Sequence, residues 1–201
     1  MRTALLSVLL AALAQESPLL DPKAPAVTKE APAEFKVKLE TSKGDVVLKV
    51  TRDAAPKGAD RFYNLVKNGY YDDTRFYRVV AKFVVQWGFS GDPKISKAWR
   101  EAKIDDDPVK RKNARGTVTF ATSGPNTRTT QLFINLKDNE VLDKKGFAPF
   151  AEVVEGMDVA DKLHSGWGNT PQQKRILEEG NVHLDRDYKE LDRIKSAKIV
   201  E

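Results

Sequence analysis

The chain has 201 residues, 40% of them hydrophobic and 31% charged, enough for one domain with a real core and short of what two require. That balance excludes a disordered chain and a protein built mainly of membrane spans. The formal net charge of +5 comes from 34 basic and 29 acidic residues whose signs alternate along most of the chain, so no nucleic-acid partner is expected. Met1-Arg2, the apolar run Ala4 to Leu13 broken only by Ser7, and the small residues around Ala12-Leu13-Ala14 predict an export signal over residues 1–14. The run is too short to span a bilayer as a permanent helix, so no stable membrane insertion is expected; the other reading is a partly buried N-terminal helix. Cleavage near Ala14 would release the chain to a periplasm or to the medium. Cysteine is absent, which rules out disulfides, thiolate sites and a lipid-bearing cysteine after the signal.

Residues 15–34 carry Pro18, Pro22, Pro25 and Pro32 with no strand or helix period, and read as an extended proline- and alanine-rich linker. The folded domain is expected over residues 35–201, and no segment repeats at a fixed spacing. Phe35, Val37 and Leu39 alternate with charged residues, and the Ser42-Lys43-Gly44-Asp45 turn leads into Val46 to Val50, which makes a hairpin with one buried face. Ala59, Phe62, Leu65 and Val66 form the stripe of an amphipathic helix, with Asp53 and Pro56 at its start and Asn68-Gly69 at its end. Further strands are predicted at 75–80, 83–87, 117–121, 131–136, 150–154 and 191–200. A second helix is predicted at 157–163, and a third at 171–179, capped by Thr170 and stopped by Gly180. Asp92 to Ala114 reads as one long connection, in which Lys110, Arg111, Lys112 and Arg115 follow three aspartates as a solvated, charge-compensated loop. Many strands with few helices predict an antiparallel barrel or sandwich.

Arg78 stands out within Phe76-Tyr77-Arg78-Val79-Val80-Ala81-Lys82-Phe83-Val84-Val85-Gln86. Alternation places it at a buried or groove-lining position, where a guanidinium that cannot deprotonate must be held by partners or used. Gln86 can supply a partner. On residue type alone, an arginine in a strand is more often a surface charge, and Phe83, Val84, Phe133 and Leu142 read more readily as core.

A second segment, Gly116 to Thr127 with Ser123-Gly124-Pro125-Asn126-Thr127, leads on to Gln131-Leu132-Phe133-Ile134-Asn135. Together the two segments resemble the cyclophilin family of peptidyl-prolyl cis/trans isomerases, and Gly146-Phe147-Ala148-Pro149-Phe150 through Val159 resembles the next strand and helix start of bacterial members. The likeness runs from about Phe35 to Glu201. It implies a mainly β fold, a closed eight-stranded antiparallel barrel with two capping α-helices and an outer groove. Carried over, it makes Arg78 the catalytic arginine with Gln86 as its partner, and Phe83, Val84, Phe133 and Leu142 the proline pocket. Ala121, Thr122, Ser123 and Gln131 would line the adjoining groove, and Phe147 would fill the space of a histidine found in eukaryotic members. It further implies a monomer without cofactor or metal that acts on proline-containing peptides and unfolded segments of exported proteins.

The chemistry fits those residue types. Amide resonance puts a barrier of about 18–20 kcal/mol on rotation, so uncatalysed X-Pro exchange takes tens of seconds or more. Twisting the bond returns a lone pair to the prolyl nitrogen, and a fixed cation beside it favours the twisted state. No nucleophile is needed. The rival reading is a peptide-binding or chaperone module that uses the same groove without turnover. Three positions depart from the commoner pattern: Val141 stands where many members have a tryptophan, Thr122 for an asparagine and Val84 for a methionine. The missing tryptophan predicts weak cyclosporin sensitivity, and the other two changes bear on substrate preference. His164 and His183, the two histidines, lack metal-ligand spacing.

Overall fold

A computed structural model describes residues 17–201; the export signal expected at 1–14 lies outside the described residues. β1 (Glu34–Thr41) buries Phe35, Val37 and Leu39, and β2 (Gly44–Thr51) buries Val46, Leu48 and Val50, so one face of their hairpin is core and the other charged. Their register runs from Glu34 opposite Thr51 to Thr41 opposite Gly44, with Ser42 and Lys43 as the connecting loop. The remaining strands are β3 (Arg78–Val80), β4 (Val84–Trp87), β5 (Thr117–Phe120), β6 (Leu132–Asn135), β7 (Pro149–Glu155) and β8 (Ile194–Val200). They form one eight-stranded sheet, in the order β3-β4-β6-β5-β7-β2-β1-β8, and every adjacent pair is antiparallel.

The sheet curls into an open half-barrel, which corrects the expected closed barrel. β3 is only three residues long, and the chain before it turns at Asp73 in the left-handed region, φ 54°. The two edges therefore meet through one bridge, Arg75 opposite Arg193, with Phe76 N–H donating to Asp192 O and Ile194 N–H to Thr74 O, each at 2.9 Å. Further along the β8 edge, the Asp72 carboxylate accepts the Ala197 N–H at 2.8 Å in place of a strand.

The helices also differ from the expected pair, with five in the described residues: α1 (Pro56–Lys67), α2 (Pro93–Trp99), α3 (Met157–Asp161), α4 (Gln173–Glu179) and α5 (Asn181–Asp187). α1 presses Phe62 and Leu65, both fully buried, into the sheet's concave face, where the Phe62 and Phe150 rings lie 5.2 Å apart. Asp53 does not cap it. The Asp107 carboxylate does, accepting Lys57 N–H at 3.1 Å and Gly58 N–H at 2.9 Å while pairing with buried Arg128 at 3.0 Å. An acid read as loop charge is thus a buried structural group. α2 arises inside the predicted long connection, with Asp92 accepting the Lys94 N–H as its cap. Thr170 does not cap α4, which begins at Gln173 without a side-chain cap. Gly180 separates α4 from α5 at φ 61°, where a Cβ would stand 2.2 Å from Gly91 O, so only glycine fits.

Residues 17–33, read as a linker, lie along the domain in two short 3-10 turns and bury Leu19, Val27 and Ala31 in the main core. Asn64 fixes Lys29 through both its amide atoms, Asp60 accepts the Ala31 N–H, and the Trp99 indole donates to Leu19 O. Prolines break the period that reveals an element, yet they leave carbonyls free for neighbouring side chains. No described helix is long and apolar enough to cross a membrane.

Candidate active site

Strand register assembles the groove. Arg78 of β3 stands opposite Gln86 of β4, which stands opposite Phe133 of β6, so the three form a row across one sheet face. Val84, two residues before Gln86, shares that face. Val84, Phe133 and Leu142 are buried together as a small cluster separate from the main core, with Phe83, Ala121 and Phe147 half-buried around them. The Phe133 and Phe147 rings meet edge to face at 5.7 Å. The resulting hollow, about 290 Å³, is lined by Arg78, Phe83, Val84, Gln86, Ala121, Thr122, Phe133, Leu142 and Phe147, and by Gln173 of α4.

Nine of the eleven residues expected at the site meet in this hollow. Ser123 and Gln131 line a second one, about 310 Å³, along with Phe89 and Leu177. The wall bearing Leu142 is a 3-10 turn over Glu140–Lys145, closed by Gly146 at φ 82° with the Phe147 N–H donating to Leu142 O. Behind it, buried Asn113 donates to Asp143 Oδ1 and Phe147 O, each at 2.8 Å, and Asn139 donates to Phe83 O at 3.1 Å. These asparagines hold the pocket walls, and scattered single polar residues gave no sign of that in the sequence.

The Arg78 guanidinium has neutral partners. It donates from Nη1 to Gln86 Oε1 at 3.0 Å and from Nε to Asn169 Oδ1, and its Cζ lies 5.7 Å from the Phe83 ring centroid. Among the described residues it makes no ion pair, so its charge is oriented without being cancelled. Behind the groove, Gln86 Nε2 donates to the Tyr77 hydroxyl and, at 3.0 Å, to Gln131 Oε1, while the Tyr77 hydroxyl donates to Gln131 Oε1. Tyr77 is fully buried, and burial holds its pKa far above the ordinary phenol value.

Three residues of this arrangement, Tyr77, Asn169 and Gln173, carry no signal of their role in the sequence. Asn169 and Gln173 belong to the segment between α3 and α5, which folds back onto the β3 edge. There Ile176 and Leu184 pack on Tyr77 and Phe89, and the Arg75 guanidinium grips Asp185 through two hydrogen bonds of 2.9 and 2.8 Å. The predicted helix at 171–179 is the one local pattern that points to this segment.

The half-barrel thus carries, apart from its main core, an apolar hollow with an arginine at its mouth, and that hollow is the candidate site. The cyclophilin type peptidyl-prolyl cis-trans isomerase family matches residues 36–188, and the chain belongs to that family, as an enzyme that isomerises X-Pro peptide bonds. It is 37% identical over 135 residues to peptidyl-prolyl cis-trans isomerase B of Escherichia coli (strain K12), spanning 63% of this chain and 82% of that one. With peptidyl-prolyl cis-trans isomerase A of Dickeya dadantii (strain 3937) it shares 40% identity over 139 residues, 63% of this chain and 70% of the relative. Among solved structures, a cyclophilin type isomerase of Cryptosporidium parvum superposes with a TM-score of 0.64 at 22% identity, covering 84% of this chain and 98% of that chain. That last likeness speaks for the fold.

Proposed function

We propose that Arg78 drives the isomerisation by donating to the prolyl nitrogen as the X-Pro amide twists. The observation that carries this reading is the Arg78–Gln86 contact of 3.0 Å at the mouth of an apolar pocket. The proline ring docks on Val84, Phe133 and Leu142, with Phe83 and Phe147 at the sides. Ala121, Thr122, Ser123 and Gln131 carry the neighbouring peptide. In the ground state the prolyl nitrogen is a poor acceptor because its lone pair is delocalised; in the twisted state it becomes a good one. A guanidinium held in place by Gln86 and Asn169 therefore binds the transition state more tightly than either ground state. A cyclophilin type relative from Cryptosporidium parvum solved in the presence of the dipeptide Ala-Pro supports a proline-bearing ligand. The expected outcome for Arg78→Ala is a loss of kcat/KM of about 100-fold or more on an Ala-Pro tetrapeptide, with the fold retained by circular dichroism. Wild-type turnover by that variant overturns the reading.

We further propose that the protein is a monomeric foldase exported by residues 1–14 and released near Ala14, serving proline-limited folding of other exported chains. Signal-like composition supports this. Cell fractionation with N-terminal sequencing tests it: a full-length chain retained with cytosolic markers overturns it.

A further inference from the structure

The hydrogen bonds behind Arg78 have a direction, and it is fixed at one end. A guanidinium has only protons to offer, so the Gln86 atom that faces it at 3.0 Å is the acceptor Oε1. That turns Gln86 Nε2 inward, where its two protons meet the Tyr77 hydroxyl oxygen and Gln131 Oε1. Having accepted from Gln86, the Tyr77 hydroxyl gives its own proton to the same Gln131 oxygen. Gln131 Nε2, without a protein partner among the described residues, is left to the hollow that Gln131 lines. The phenol cannot swing out of this chain. Tyr77 is 1% exposed, its ring lies 5.0 Å from that of Phe89, and Ile176 and Leu184 pack against it from α4 and α5.

We infer that Tyr77 is a positioning residue for isomerisation: its hydroxyl holds the Gln86 amide in the orientation that offers oxygen to Arg78. The inference rests on Arg78 as the group that meets the prolyl nitrogen. A Gln86 amide deprived of the hydroxyl loses one of its three partners and gains a competing rotamer, in which Nε2 faces the guanidinium and repels it. α4 and α5 thus support the catalytic arginine through a ring that never touches substrate.

Kinetics on the full chain test this with Tyr77→Phe, Gln86→Ala, the double variant and Arg78→Ala, using exchange NMR on an Ala-Pro tetrapeptide to separate kcat from KM. Tyr77→Phe is expected to lower kcat about tenfold, the effect of one buried hydrogen bond, with KM within about twofold of wild type. Added to Gln86→Ala it is expected to lower kcat no further, because the phenol acts through that amide. An equal loss in both backgrounds, or wild-type kcat for Tyr77→Phe beside an inactive Arg78→Ala, overturns the positioning role alone. An active Arg78→Ala instead overturns the reading beneath it. If Tyr77→Phe fails to fold, the wild type still decides: its Gln86 side-chain Nε2 protons are expected to exchange with solvent about 100-fold more slowly than free glutamine. Exchange at the free rate overturns the inference.

Discussion

Arg78 keeps its charge while losing its freedom. A carboxylate partner would hold the guanidinium equally well, yet it would draw the field away from the groove; Gln86 and Asn169 hold it with neutral oxygens. No lining residue of the main hollow is a histidine, cysteine or carboxylate, and burial keeps the Tyr77 phenol protonated beyond the usual range. We therefore predict a kcat/KM that stays flat from about pH 6 to 9, since nothing at the arginine changes protonation there. A bell-shaped profile over that window would show that a titrating group takes part. Pocket shape belongs to the same scale. Leu142→Ala removes a wall of the hollow proposed to take the proline ring, so a KM rise of about tenfold with a smaller change in kcat is expected in steady-state assays. Val141, 56% exposed on the same turn, offers little area where a tryptophan would reach a bound macrocycle. Cyclosporin titration is expected to show weak binding, and Val141→Trp to tighten it at least about tenfold.

Individual elements depend on distant side chains as much as on their own sequence. α1 begins at Pro56 after Ala55, whose methyl group cannot cap, and takes its cap from Asp107 some fifty residues on. Asp107→Ala removes that cap and leaves Arg128 buried without its nearest carboxylate. It is expected to destabilise the fold by about 3 kcal/mol, read as a shift in urea midpoint at constant m. α5 depends instead on ion pairs among its own residues, and acid reveals it. The Arg186 hydrogen bond, with a smaller contribution from His183, holds the Asp187 carboxyl down at about 2. A folded pKa below the unfolded one stabilises at pH values above about 4 and is lost as the pH falls toward 2. Amide exchange in α5 is expected to rise over that interval ahead of the strands, and uniform protection down to about pH 2 would contradict it.

At the scale of the whole molecule, an incomplete barrel is closed by what lies around it: one bridge and the Asp72 side chain at the β3/β8 gap, α4 and α5 on the β3 edge, and the strap of residues 17–33 over α1. Removing residues 17–33 exposes the sites of Leu19 and Val27 and is expected to cost about 3 kcal/mol, or about 10 °C in Tm by calorimetry, with the groove intact. An unchanged Tm would mean the strap adds nothing to the fold. The sequence by itself determined the alternation of β1 and β2, the apolar stripe of α1 and the two segments that carry the groove, because period and residue type are local properties. Nine of the eleven expected site residues share one hollow; the likeness to the family named them, and Arg78, Val84, Gln86 and Phe133 of β3, β4 and β6 fall on one face. Only the tertiary structure decided that the barrel stays open, that Asp107 rather than Asp53 caps α1, and that the proline-rich segment packs down. It also brought Asn169 and Gln173 to the arginine's side of the groove from some ninety residues away. Those outcomes depend on which backbone and side-chain groups are left without partners once the strands have paired, and that is settled in space, beyond the reach of any local pattern.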